Sequence, residues 1–137
     1  MKLKFKKLNN EAKLPTRGTV GAGGIDLYCC GSHRLFHTYT IIPTGVAVEI
    51  PEGYVGLIIT RSSTALNDID VSTTVIDSDY RGQLFITART KSGSIEVTHG
   101  QRIAQLVILP LPAFEPEWAD ELSETARGSG GYGSTGK

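Results

Sequence analysis

The chain opens with a period of two. Within residues 1–8, Leu3 and Phe5 fall on one side and Lys2, Lys4 and Lys6 on the other. That is the pattern of a half-buried strand whose lysines guard a sheet edge. A loop at 14–18 and the glycines of 21–24 lead into an apolar run, residues 25–30. It carries Asp26, a residue type depleted in strands. A polar connection covers 31–37. Short β-rich runs follow at 39–42 and 45–50 around Pro43-Thr44, at 54–60 after the turn Pro51-Glu52-Gly53, and at 69–71. Between the last two, residues 61–66 predict one short helix, with Ser62 or Ser63 as its cap. Two apolar runs, 75–76 and 83–88, flank the polar stretch Asp77-Ser78-Asp79-Tyr80-Arg81-Gly82 and predict a β-hairpin. A turn at 91–94, a strand at 95–97 and a turn at 98–100 come next. Residues 102–109 are too continuously apolar for a one-sided sheet, which predicts burial on both faces. Pro110, Pro112 and Pro116 mark an extended exit, and 120–124 predict one turn of helix. Many short strands between turn signals predict an all-β sandwich or barrel. No internal repeat occurs at solenoid periods.

The tail differs in kind. Five glycines among residues 127–137 cannot pack a core and predict a flexible glycine-rich C-terminal arm. The chain therefore divides into a β domain, 1–126, and an arm, 127–137. Its 137 residues suffice for one domain with a real core. Fourteen Lys plus Arg balance fourteen Asp plus Glu, which argues against nucleic acid as a partner, because phosphate backbones want a basic excess. The apolar stretch 106–109 stops at Pro110, far short of the ~20 residues a membrane span needs. No apolar signal core follows the N-terminal lysines. The only cysteines, Cys29 and Cys30, are neighbours and make a poor disulfide, so the expected compartment is reducing: cytoplasmic or otherwise intracellular.

Candidate chemistry concentrates at a few points. Asp77 sits where a strand stops, so rigid backbone aims its carboxylate, as a general base requires. Tyr80 beside it offers a flat ring. A solvated surface turn is the competing reading. Asp26 is either an outward carboxylate or a hard-cation ligand, suited to magnesium carrying phosphates. Arg61-Ser62-Ser63 reads equally as a helix cap or an anion seat. Gln105 brings a buried amide that must find partners. In the arm, Arg127, Tyr132, Ser134 and Thr135 suit a nucleotide, with the ring for a base and the rest for phosphates; a plain terminus is the alternative. Residues 131–137 fit G-x-x-x-x-G-K, but no helix can follow Lys137, so the phosphate-loop mechanism is rejected. His33, His37 and His99 are too dispersed for zinc. No Gly-x-Ser-x-Gly turn presents a serine nucleophile.

Five motifs in order resemble the trimeric dUTPase family: Ala22-Gly23-Gly24-Ile25-Asp26-Leu27, Arg61-Ser62-Ser63, residues 75–82, residues 100–106 and residues 127–136. They span nearly the whole chain. The resemblance implies a jelly-roll-like β-barrel, a homotrimer with active sites between subunits, and hydrolysis of dUTP to dUMP and pyrophosphate with Mg2+. It implies that Asp77 activates the attacking water and that Tyr80 packs on the deoxyribose. Backbone around Val75 and Ile76 would read uracil. Arg61, Ser62 and Ser63 would hold phosphates, Gln105 the α-phosphate region, and Asp26 magnesium through water. From the arm, Tyr132 would stack on uracil, with Gly133 beside it, while Arg127, Ser134 and Thr135 grip the terminal phosphates. Thr74, Val71, Thr60 and Tyr132 stand where the family usually carries Gly, Asn, Pro or Gly, and Phe. Two alternatives remain on the same barrel. One is a dCTP deaminase-related enzyme, against which Ser78-Asp79-Tyr80 stands in place of Pro-Gly-Trp. The other is a nucleotide-sensing or regulatory partner-binding module.

Overall fold

The structure is a computed structural model that describes residues 1–133. Among these residues ten strands and one helix follow in order: β1 (Lys4–Lys7), β2 (Ile25–Tyr28), β3 (His33–Leu35), β4 (Thr40–Glu49), β5 (Tyr54–Ile59), α1 (Ser62–Leu66), β6 (Ile69–Ser72), β7 (Thr74–Ile76), β8 (Gln83–Thr90), β9 (Ile95–Val97) and β10 (Arg102–Pro110). One four-stranded sheet runs β1-β4-β8-β6, a second runs β2-β10-β5-β7, and β3 pairs with β9. Every ladder is antiparallel. The expected all-β, jelly-roll-like architecture with one short helix is what the chain forms.

Alternation builds the core. In β8 the odd positions are half-buried, while Leu84, Ile86, Ala88 and Thr90 are buried. Leu84, Ile86 and Ala88 join Leu27, Ile58, Ile103, Ala104 and Leu106 of the second sheet in one apolar cluster. A fully buried Leu or Ile side chain contributes about 1.5–3 kcal/mol, so this layer dominates the stability of the fold. Thr44, buried in the same layer, donates its hydroxyl to the Leu84 carbonyl at 2.7 Å.

Several expectations change. The runs 75–76 and 83–88 are not a hairpin: β7 pairs with β5, and β8 pairs with β4 and β6. Residues 77–82 form a corner that carries the chain from one sheet to the other. Both runs hold core residues, and opposing sheets let Ile76 and Leu84 bury against the same interior. Residues 40–49 form one strand, bulged between Pro43 and Ala47, rather than two. Part of the expected connection 31–37 is strand, because His33–Leu35 finds β9. Residues 120–124 are not helical and all five are exposed; with no helical face buried, a single turn is unstable. In this chain β10 is buried on one face only. Opposite residues of an antiparallel pair share a face, so the registers put Val55, Leu57, Val75, Val107 and Leu109 together on the outer side of the second sheet. All five are half-buried or exposed. Among the described residues, no helix is long and apolar enough to cross a membrane.

Candidate active site

The residues singled out gather at two ends of β5. At one end, Asp26 of β2 stands opposite Gln105 of β10, which stands opposite Ile59 of β5. The loop residue Thr16 forms an isolated bridge to Asp26: the Asp26 N–H donates to the Thr16 carbonyl at 2.6 Å. The Asp26 side chain is only 13% exposed. Arg61 Nε donates to its Oδ1 at 2.8 Å, and Arg102 Nη1 donates to its Oδ2 at 3.4 Å. An outward solvated carboxylate is thereby ruled out. Arg61 Nη1 also donates to Ser63 Oγ at 3.1 Å and to the Arg102 carbonyl at 3.2 Å. Two guanidiniums share one carboxylate, so this end carries excess positive charge and suits phosphates.

Ser62 and Ser63 do not cap the helix. Arg61 is the N-cap, with extended φ/ψ of −100° and 152° and no side-chain cap bond. The serines lie in the first turn instead, where backbone N–H groups lack helical acceptors. Gln105 locks the approach to that turn: its Nε2 donates to the Thr60 carbonyl at 2.9 Å. Gly24 leaves it room, since a Cβ there would lie 2.0 Å from Gln105 Oε1.

At the other end lies a cleft of about 250 Å3 between β7 and β8. Thr74, Val75, Ile76, Asp77 and Tyr80 line one side, and Gln83, Phe85 and Thr87 the other. Asp77 is exposed at its mouth. The Tyr80 N–H donates to the Asp77 carbonyl at 3.1 Å, which ties the acid and the ring into one turn. Tyr80 Oη donates to the Gln83 carbonyl at 2.7 Å. Thr74 needs no glycine, since its φ is not positive. Val71 is buried in the core from β6 and does not line the cleft.

The two ends are far apart within one chain. Ile76 stands opposite Gly56, so Asp77 and Arg61 are separated by six residue steps along β5 and its extended continuation. At about 3.3 Å per residue that is roughly 20 Å. In the arm, Arg127 Nε donates to the Gly130 carbonyl. Tyr132 is fully exposed with φ 50°, and Gly133 follows with φ 82°. Ser134 and Thr135 lie outside the described residues. Sequence reasoning missed Gln83, Phe85 and Thr87, although their period of two beside Tyr80 marks one face. It also left Arg102 without a role. The bulge between Arg102 and Ala104 is what re-aims that side chain.

Elsewhere Cys29 and Cys30 are buried free thiols. Burial first, and Cys30 second, push the Cys29 thiol up to about 11. On the first sheet, Asp70 accepts from Arg89 Nε at 2.8 Å and from Tyr39 Oη at 2.9 Å. These two bonds, the arginine's first, hold its carboxyl below the ordinary value.

An all-β scaffold that sets two arginines on one buried aspartate at one end of a strand, and an Asp–Tyr corner beside a cleft at the other, has the chemistry to take an anionic, ring-bearing ligand of the nucleotide class. The dUTPase family model matches residues 10–136, and the chain belongs to the dUTPase family. It is 41% identical over 142 residues to the deoxyuridine 5'-triphosphate nucleotidohydrolase of Hydrogenobaculum sp., covering 99% of both chains. It is 40% identical to the mitochondrial human protein of that name, covering all of this chain and 56% of the human one. Among solved structures, the Staphylococcus bacteriophage 80alpha dUTPase with dUPNHPP superposes with a TM-score of 0.92, at 31% identity over 99% of each chain. A mutant dUTPase of phage phi11, described with a structural Mg(II) ion, superposes at 0.83, with 27% identity over 88% of this chain and 98% of its own.

Proposed function

We propose that this chain hydrolyses dUTP to dUMP and pyrophosphate as a homotrimer, with Asp77 as the general base. The observation that carries the reading is the pairing of ends on β5. Asp77 and Tyr80 flank a nucleoside-sized cleft, while Arg61, Ser62, Ser63 and Gln105 surround an electropositive seat about 20 Å away. A base must lie within about 3 Å of the proton it takes, or one water further. One nucleotide therefore cannot place its α-phosphorus beside Asp77 and its phosphates on Arg61 of the same chain. Two copies can supply the two ends, and the half-exposed apolar face of β5, β7 and β10 is a suitable surface between them.

In this reading Val75 and Ile76 backbone groups read the uracil edge, and Tyr80 packs on the deoxyribose. Asp77 holds the attacking water in line at the α-phosphorus and takes its proton. Arg61, Ser62 and Ser63 hold the phosphates, and Gln105 keeps the turn that carries them beside the α-phosphate. The arm, residues 127–137, closes a site elsewhere in the trimer. There Tyr132 stacks on the base, Gly133 lets the backbone approach, and Arg127, Ser134 and Thr135 grip the terminal phosphates. The fully exposed Tyr132 ring is available for such stacking.

Magnesium, when bound, supplies charge neutralisation at the phosphates. Asp26 fits a role through water: each of its oxygens takes one guanidinium N–H and keeps a lone pair for a metal-bound water. Among the described residues, no three His, Cys, Asp or Glu groups converge to hold an ion directly. That agrees with a cation carried mainly by substrate phosphates and water. Buried, free Cys29 and Cys30 are in keeping with a reducing, intracellular home.

The test is pyrophosphate release measured across dUTP, dTTP, dCTP and UTP. Only dUTP is expected to turn over well. Asp77→Asn is expected to lose turnover by about 10²–10⁴-fold while still binding dUTP, and removal of 127–137 to cripple turnover while leaving the trimer intact. Ammonia release from dCTP would overturn the reading in favour of a deaminase.

A further inference from the structure

We infer that Gly82 is a positioning residue for sugar selection, acting through the Tyr80 ring; the inference rests on the dUTPase reading above. Its backbone does not require glycine, because its φ is not in the left-handed region. What requires glycine is the ring. A Cβ at position 82 would lie 2.5 Å from Tyr80 Oη, 2.7 Å from Cζ and 3.0 Å from Cε1. The far end of the Tyr80 ring occupies the space where any other residue would put its side chain.

The ring cannot simply swing aside. Its Oη donates to the Gln83 carbonyl at 2.7 Å, and Gln83 is the first residue of β8. The Gln83 side chain is anchored in turn, since its Oε1 accepts from the Gly45 N–H of β4 at 2.9 Å. The ring is thus clamped between the glycine beneath it and a strand end tied to its neighbour. Tyr80 as a whole stands 40% exposed and lines the cleft. A methyl group at position 82 forces the ring outward and breaks the Oη bond. Misplacement by about 1 Å is enough to cost about 10²-fold where geometry selects. The space beside the sugar, which excludes a 2′-hydroxyl, is then no longer the same. Asp77 sits at the other end of the corner and keeps its own backbone.

The experiment compares kcat/KM for dUTP and UTP in the full-length protein. Gly82→Ala is expected to lower the dUTP preference at least about tenfold, through a rise in KM for dUTP and in turnover of UTP, with kcat for dUTP changed less. Tyr80→Phe adds no atom and removes only the hydroxyl's bond; it is expected to shift the preference the same way by a smaller factor. In a Tyr80→Ala background, Gly82→Ala is expected to change the preference no further, since the ring it acts through is gone. An unchanged preference in Gly82→Ala or in Tyr80→Phe overturns the inference. So does an equal effect of Gly82→Ala with and without the ring. A wild-type protein that turns over dUTP poorly would instead sink the functional reading itself, and the inference with it.

Discussion

The separation of Asp77 from Arg61 makes a quantitative demand on the assembly. Two inactive variants are made, Asp77→Asn and Arg61→Ala, each expected to fall by about 10²-fold or more in turnover. They are unfolded together in equal amounts and refolded, or co-expressed, so that chains mix at random. With both groups roughly 20 Å apart in one chain, the proposed function requires a working site to take Asp77 from one copy and Arg61 from another. A given site is then intact when its base comes from an Arg61→Ala chain and its seat from an Asp77→Asn chain. Each has a probability of one half, so about one quarter of sites are rebuilt in a closed homo-oligomer. Pyrophosphate release should rise from near nothing to about a quarter of the wild-type rate per chain. The unmixed proteins, assayed separately and then combined without exchange, should stay inactive. A refolded mixture as inactive as its parents would refute the reasoning, because both groups would then have to serve from a single chain.

Three further outcomes follow from the packing. Gly24→Ala places a methyl 2.0 Å from Gln105 Oε1 and 2.8 Å from its Cδ; overpacking of this kind costs about 1–3 kcal/mol, read as a lower urea midpoint at unchanged slope. Cys29, with its thiol pushed up to about 11, is expected to resist iodoacetamide in the native protein at neutral pH and to react once urea exposes it; mass spectrometry of the modified peptide decides this. The Asp70 carboxyl is held low by Arg89 and then Tyr39. Its contribution is complete above the ordinary carboxylate value and disappears as the pH falls through the depressed one. Asp70→Asn should therefore cost stability at neutral pH, by no more than about 1 kcal/mol for so exposed a pair. Its urea curve should converge on that of the wild type in acid.

Much of the fold was legible in the linear order of residues. Alternation in β1, the β-rich run that forms β8, turn glycines and the break at Pro110 all act between near neighbours. They mark strands regardless of what those strands pack against. The motifs carrying Asp26, Arg61, Asp77, Tyr80 and Gln105 were legible in the same way, because each keeps its chemistry within a few residues.

Sheet membership was not legible. The run 75–88 has the local pattern of a hairpin, and only the shared core, reached from both sides by Ile76 and Leu84, splits it between two sheets. The partners of Asp26 were hidden for a similar reason. Arg61 and Arg102 are 35 and 76 residues away, and a bulge in β10 accompanies the reach of the second, still half-exposed, to the carboxylate. Composition and spacing determined which groups this chain owns. Their distances depend on strand register, which is settled by burial of apolar surface over the whole domain, and so only the tertiary structure put Asp77 and Arg61 at opposite ends of one strand.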